Sequence, residues 1–259
     1  MTEGMDDDAP LHHTPRMRPA GDAPKPGPKR IYTSVAHAQR DENYAIELDG
    51  RPVRTPARAL LAVPQLALAD ALVAEWDSQG ETIDHKTMPL TRLANTALDN
   101  VRGREDVIVE EIVSFAGNDL LCYRAETPDS LVAAQNDAWD APLAWAEEKC
   151  GGRFVRVAGV MHVPQPQAVL TAARHMIAAH DAFQLTALHN MTTLTGSAVL
   201  ALAVAAGELP AADAWERAHA DEDWQISQWG PDAEAAARRT YREGEFTTAY
   251  QFLTLVSQT

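Results

Sequence analysis

The sequence is short of the residues that mark most chemistries. Only two cysteines stand in 259 residues, Cys122 and Cys150, with no CxxC spacing. That argues against a disulfide framework and a cysteine zinc site, and for a reducing compartment. No GxGxxG and no GxxxxGKS/T occurs, so neither a dinucleotide fingerprint nor a P-loop is present. HExxH is missing too, and His175 and His180 are spaced so that a helix would point them in different directions. Basic charge is scarce: 22 Lys+Arg stand against 37 Asp+Glu, a formal charge of −15. A phosphate-binding face needs clustered cations, so nucleic acid is not an expected partner. Long apolar runs are absent as well. The most apolar stretch, Leu194 to Gly207, is shorter than the roughly 20 residues of a spanning helix. It reads as a buried core helix, and no membrane partner is expected. The opening MTEGMDDDAP is acidic and lacks an apolar run, unlike a secretory signal or an Arg-rich presequence. The expectation is a soluble cytoplasmic protein, and heavy use of Ala and of Arg over Lys points to a bacterial gene.

What is present is organised from strands to helices. Residues 1–29 hold six prolines and almost no large apolar side chains, so they are expected to be a disordered tail. IYTSVAHA alternates Ile31, Thr33 and Val35; YAIEL alternates Tyr44, Ile46 and Leu48; Asp49-Gly50 is a hairpin signal. Pro52 and Pro56 lack the ladder N–H, so the following strand is an edge or is broken by a bulge. From Pro64 the period changes: Leu66, Ala69, Val73 and Trp76 mark a helix. MPLTRLANTALDNV then places Leu90, Leu93, Ala94, Ala97, Leu98 and Val101 on one stripe, with Arg92, Asn95 and Asp99 off it. Ile108, Ile112 and Phe115 mark another helix, and one more is expected through Leu131 to Trp139. CGGRFVRVAGVMHVPQP reads as extended. The remainder reads as helices over about 167–180, 183–206, 211–229 and 232–257. The expected class is α+β: a small β-containing N-terminal domain (30–85, antiparallel strands with a helix) and a larger all-α orthogonal bundle (86–259).

Few residues suggest catalysis. Ser197 in TGSAV lacks the GxSxG elbow and reads as a small residue inside an apolar helix. His180-Asp181 resembles a pair from the helical metal-dependent phosphohydrolases, the rival reading, but no further ligand set stands out. HADEDWQISQWG is more informative. Neighbouring acids Asp221, Glu222 and Asp223 diverge by about 100° each on a helix, so they make no paired-carboxylate site. The stripe Ala211, Trp215, Ala218 continues at Glu222, Gln225 and Trp229, which puts an acid on a half-buried stripe between tryptophans. Such a carboxylate requires an internal partner or a recognition role; with aromatics around it, recognition is the sharper reading.

At this point several separated segments matter together: LDGRPVRTPAR, EWDSQGETID, MPLTRLANTALD, DLLCYRAE, WDAPLAW and DEDWQISQWG. In their order and spacing they resemble the assembly chaperones of the F-type ATP synthase catalytic head that act on its alpha subunit. The resemblance implies a non-enzymatic, ATP-independent protein without metal or cofactor, and a monomer. It would hold the unassembled alpha subunit until the beta subunit replaces it. It also implies client-binding residues Glu222, Asp221, Trp224, Gln225 and Trp229, with Glu222 matching the family's functional acid. Trp76, Met88, Thr91, Arg92 and Asn95 match as family signatures. Mitochondrial members carry a presequence; the acidic, Pro-rich start here implies a bacterial, cytoplasmic member.

Overall fold

The computed structural model describes residues 27–159 and 161–258. The expected disordered tail therefore lies, apart from its last three residues, outside the described residues. A small antiparallel sheet comes first. β1 (Val35–Arg40) pairs with β2 (Asn43–Leu48), and the other side of β2 is covered by two short strands, β3 (Arg51–Pro52) and β4 (Ala62–Val63). Asp49 and Gly50 form the two-residue turn with φ of 48° and 73°. Positive φ at both positions is what a type I′ hairpin demands, and Asp and Gly tolerate it best. The proline-bearing third strand is indeed broken, because the chain leaves the sheet between β3 and β4. Inside that excursion the Asp99 carboxylate accepts hydrogen bonds from Thr55 Oγ1 (2.6 Å) and Ala57 N (3.0 Å).

The first strand begins later than its alternation suggests. The Asp49 carboxylate takes the backbone N–H groups of Thr33 (3.1 Å) and Ser34 (2.9 Å), so these cannot enter a ladder. Those bonds hold Asp49 down at about 2. Ile31 consequently stands exposed, while Tyr32 is buried and donates its hydroxyl to Trp76 O at 2.7 Å.

α1 (Leu66–Asp77) packs on this sheet through Leu68, Ala69, Leu72 and Trp76, a stripe rotated from the expected one, since Leu66 is exposed and Val73 only half-buried. α2 (Pro89–Thr96) and the widened π-helical turn Ala97–Val101 follow, with Leu90, Thr91, Ala94, Ala97, Leu98 and Val101 buried. α3 (Glu105–Gly117) leads through a 3-10 turn to β5 (Tyr123–Arg124), which pairs in parallel with β6 (Val157–Ala158). Between those two strands runs α4 (Asp129–Cys150), longer than the periodicity indicates and carrying Pro142 in its interior. Then come α5 (Gln167–Ala178), α6 (Ala182–Thr195), α7 (Ala198–Ala205), α8 (Ala211–Ala218), α9 (Ala220–Trp229) and α10 (Ala233–Ser257). The architecture is α+β, a small antiparallel sheet followed by a helical bundle. One continuous apolar cluster runs from Tyr32 and Ile46 through α1 and α2 to Phe252 and Val256.

Two helices expected to be continuous are broken. Gly196, at φ 69°, ends α6, and Ser197 is the N-cap of α7. The fully buried Asp119 explains the break. Its carboxylate accepts from Ser197 Oγ (2.7 Å), Val199 N (3.0 Å) and Leu121 N (3.1 Å), satisfying a helix start from across the fold. Burial outweighs those bonds and pushes Asp119 up to about 6. Ser197 is thus a buried cap, not a residue inside a helix. The second break falls at His219 and shapes the site described next.

Candidate functional site

The α8–α9 break sets which side chains reach solvent. His219 has φ −113° and ψ 16°, outside helical geometry, and ends one helix while opening the next. It is buried, its ring 4.0 Å from that of Trp215 and its Nδ1 2.7 Å from Trp215 O, so it satisfies a carbonyl at the end of α8. Burial pulls its pKa below the ordinary range. The non-helical residue shifts the phase of α9 relative to α8. The stripe of Ala211, Trp215 and Ala218 therefore does not continue.

The consequence for Glu222 corrects the expectation of a half-buried acid: Glu222 is exposed, with no hydrogen bond or ion pair among the described residues. Its neighbours are the ones held down. Asp221 accepts from Gln135 Nε2 at 2.8 Å, and that glutamine's Oε1 accepts in turn from Ala125 N at 2.7 Å. Asp223 receives both arms of Arg239, which raises the guanidinium pKa further. Trp224 is half-buried, donates Nε1 to Ser130 Oγ at 3.1 Å, and meets Trp229 edge-to-face at 5.6 Å. Gln225 is exposed. Trp229 is 75% exposed and Ile226 39%.

Across from this face, α10 begins with Asp232 as its N-cap, and Ala235, Ala236 and Arg239 turn toward α9. The two helices bound an open cleft of about 300 Å³ whose α9 wall is Glu222, Gln225, Ile226 and Trp229. A second groove of about 550 Å³ lies on the other side of α9, against α4, and includes Asp137, Asp213, Glu216 and Trp224. Glu222, Gln225 and Trp229 thus share one cleft, whereas Asp221 and Trp224 anchor α9 to α4. Ile226, four residues after Glu222 and three before Trp229, shares their helix face and was within reach of helical spacing; the α10 alanines come from another helix and leave no local signal. The non-helical turn at His219 is visible only in three dimensions.

α8 is itself clamped to α4. Pro142 has no N–H, so the carbonyl of Ala138, four residues earlier, lacks its helical partner. Arg217 of α8 donates to that carbonyl and to Asp137 O, while its own carbonyl accepts from Trp139 Nε1 at 2.7 Å. The WDAPLAW segment is the α4 half of this clamp.

The signature residues occupy another place. Trp76, Met88 and Thr91 are buried where α1 meets α2. Arg92 donates to both oxygens of Glu245 on α10 at 2.8 and 3.0 Å, and Asn95 is half-buried beside it on the same helix. The adjoining EWDSQGE segment supplies Glu75, whose carboxylate accepts from Leu90 N (2.7 Å) and Thr91 N (2.8 Å) at the start of α2. Its pKa is raised because burial outweighs those bonds. These residues join elements to one another and do not line the α9 cleft.

His180 and Asp181 serve helix ends. His180 Nδ1 lies 3.1 Å from the carbonyls of Met176 and Ile177, and Asp181 caps α6 in a reciprocal capping box with Gln184. Among the described residues no group of three or more His, Cys, Asp or Glu could hold a metal ion, and no helix is long and apolar enough to cross a membrane.

Residues 29–147 match the family model described as ATP12 chaperone protein. The crystal structure of Atp12 from Paracoccus denitrificans is 38% identical, with a TM-score of 0.85 over 88% of this chain and 98% of that one. A protein of Agrobacterium tumefaciens is 45% identical, also with a TM-score of 0.85, over 89% of this chain and 87% of its own. The mitochondrial protein atp12 of Schizosaccharomyces pombe is 23% identical over 219 residues, 80% of this chain and 75% of the relative.

Proposed function

Since the chain belongs to the ATP12 chaperone family, we propose that it is an assembly chaperone of the F-type ATP synthase. On this reading it binds the unassembled alpha subunit as a monomer, without ATP, and keeps it from aggregating until the beta subunit takes its place. The setting is a bacterial cytoplasm. The observation that carries the reading is the uncovered cleft of α9 and α10. A tryptophan three-quarters exposed, an exposed isoleucine and an unpaired carboxylate stand together on one face. Large apolar side chains grouped at a surface cost solubility unless they meet a partner, and tryptophan contributes strongly at interfaces. A holding protein needs such a face and needs no nucleophile or phosphate loop. The high net negative charge keeps the protein itself dispersed while it presents that face.

The test is refolding of denatured alpha subunit with and without this protein, followed by light scattering. Wild type suppresses the signal and an equal mass of an inert acidic protein does not. Glu222→Lys keeps the wild-type circular dichroism and melting temperature, because the exposed side chain makes no hydrogen bond or ion pair among the described residues, but loses suppression. Failure of the wild type to suppress aggregation at any ratio would overturn the proposal.

A further inference from the structure

The charge around the cleft narrows what it can hold. The stretch from Ala211 to Arg239 carries seven acids and three arginines, and all three cations are already engaged. Arg217 donates to the α4 carbonyls, Arg238 pairs with Glu234, and Arg239 is held by Asp223. Asp213, Glu216 and Glu222 have no side-chain partner among the described residues. Of these, Glu222 lies in the same cleft as Ile226 and Trp229, and the other two line the groove on the far side of the same helix. The cleft thus offers an apolar notch whose uncommitted charge is the Glu222 carboxylate, and the groove behind α9 adds two more acids from α8.

We infer that the α9–α10 cleft recognises an extended client segment in which a large apolar side chain is followed closely by Lys or Arg. The apolar side chain packs on Trp229 and Ile226 against the small Ala235 and Ala236, which leave room for it. The cation reaches Glu222. An acidic segment is disfavoured, because no free cation meets it and several carboxylates repel it. An apolar segment without a cation leaves Glu222 to be desolvated unpaired. This inference rests on the chaperone reading and specifies what part of the client is held.

The experiment is an array of overlapping peptides covering the alpha subunit, probed with the full-length protein and run beside the refolding assay. The retained peptides are expected to combine an aromatic or branched apolar residue with a nearby Lys or Arg. Replacing that cation by Glu abolishes retention. Glu222→Lys and Trp229→Ala each weaken retention by about tenfold. Glu42→Lys, the same charge change in the exposed β1–β2 turn, leaves it unchanged. If the refolding assay shows protection but the retained peptides lack cations, or none is retained, or Glu222→Lys has no effect on them, the inference falls and the chaperone reading stands. Retention of the basic, apolar peptides without protection of the alpha subunit supports the inference and removes the client assignment instead.

Discussion

Replacing Glu75 tests whether the EWDSQGE segment works by capping α2. The helix begins at Pro89, which has no N–H, and Met88 supplies no side-chain cap. The first two orphan donors are therefore Leu90 N and Thr91 N, and Glu75 takes both, at 2.7 and 2.8 Å. Glu75→Gln keeps one acceptor, turns an amide donor toward the other N–H, and removes a negative charge from the positive end of the helix. The lost charge-assisted bond and helix-end term are offset by the recovered, larger cost of burying the charge, so this substitution changes stability by less than about 1 kcal/mol. Glu75→Ala leaves both donors without a partner and costs about 3 kcal/mol. At about 3 °C per kcal/mol for a chain of this size, the melting temperature moves by less than about 3 °C for Gln and falls by about 9 °C for Ala. Calorimetry measures both. A Glu75→Ala protein melting with the wild type would refute the capping argument. A Gln variant less stable than the Ala variant would show that an amide N–H held against a backbone donor costs more than leaving both donors open.

Two further outcomes are expected. Asp119 has a folded value of about 6 against 3.8 for an ordinary aspartate. Folding then takes up a proton between those values, so its contribution is fully present below about pH 4 and declines as pH rises through 6, by about 3 kcal/mol. Urea melts of wild type and Asp119→Asn at about pH 4.5 and about pH 7.5 check this: the advantage of the wild type shrinks toward neutral pH, and an advantage that grows would contradict it. The clamp at Pro142 gives a double-mutant cycle. Arg217→Ala costs about 2 kcal/mol alone and about 1 kcal/mol less in a Pro142→Ala background, where a restored N–H can serve Ala138 O. Equal costs in both backgrounds would refute the clamp.

The order of elements and the apolar stripe of α2 were legible because each rests on a local period. The hairpin at Asp49-Gly50 was legible because its turn type constrains two adjacent residues. The break at Gly196-Ser197 was not, since Leu194 to Gly207 is apolar on every side and a change of helix leaves no mark on such a pattern. Its cause, Asp119, lies 78 residues away from Ser197 in sequence. The late start of β1 has the same origin, a carboxylate reaching back to claim N–H groups that alternation assigns to a strand. For the site, the tryptophans and Glu222 were found on composition and on family resemblance, but their placement assumed one continuous helix. A single non-helical residue, His219, reversed the burial of Glu222. Trp76, Met88, Thr91, Arg92 and Asn95 were recognisable as a group, yet their positions at element junctions came only from the fold.

The long helix α10 keeps two kinds of information at its two ends. Its C-terminal half is fixed in the core by Phe246, Ala249, Phe252, Leu253 and Val256, while from Ala233 to Gly244 it buries no side chain fully. Substitutions at the exposed alanines of the outer half leave the buried core of the inner half untouched. On the proposed chaperone reading, such a division lets recognition drift with a changing client, one surface residue at a time, without passing through unfolded intermediates in sequence space.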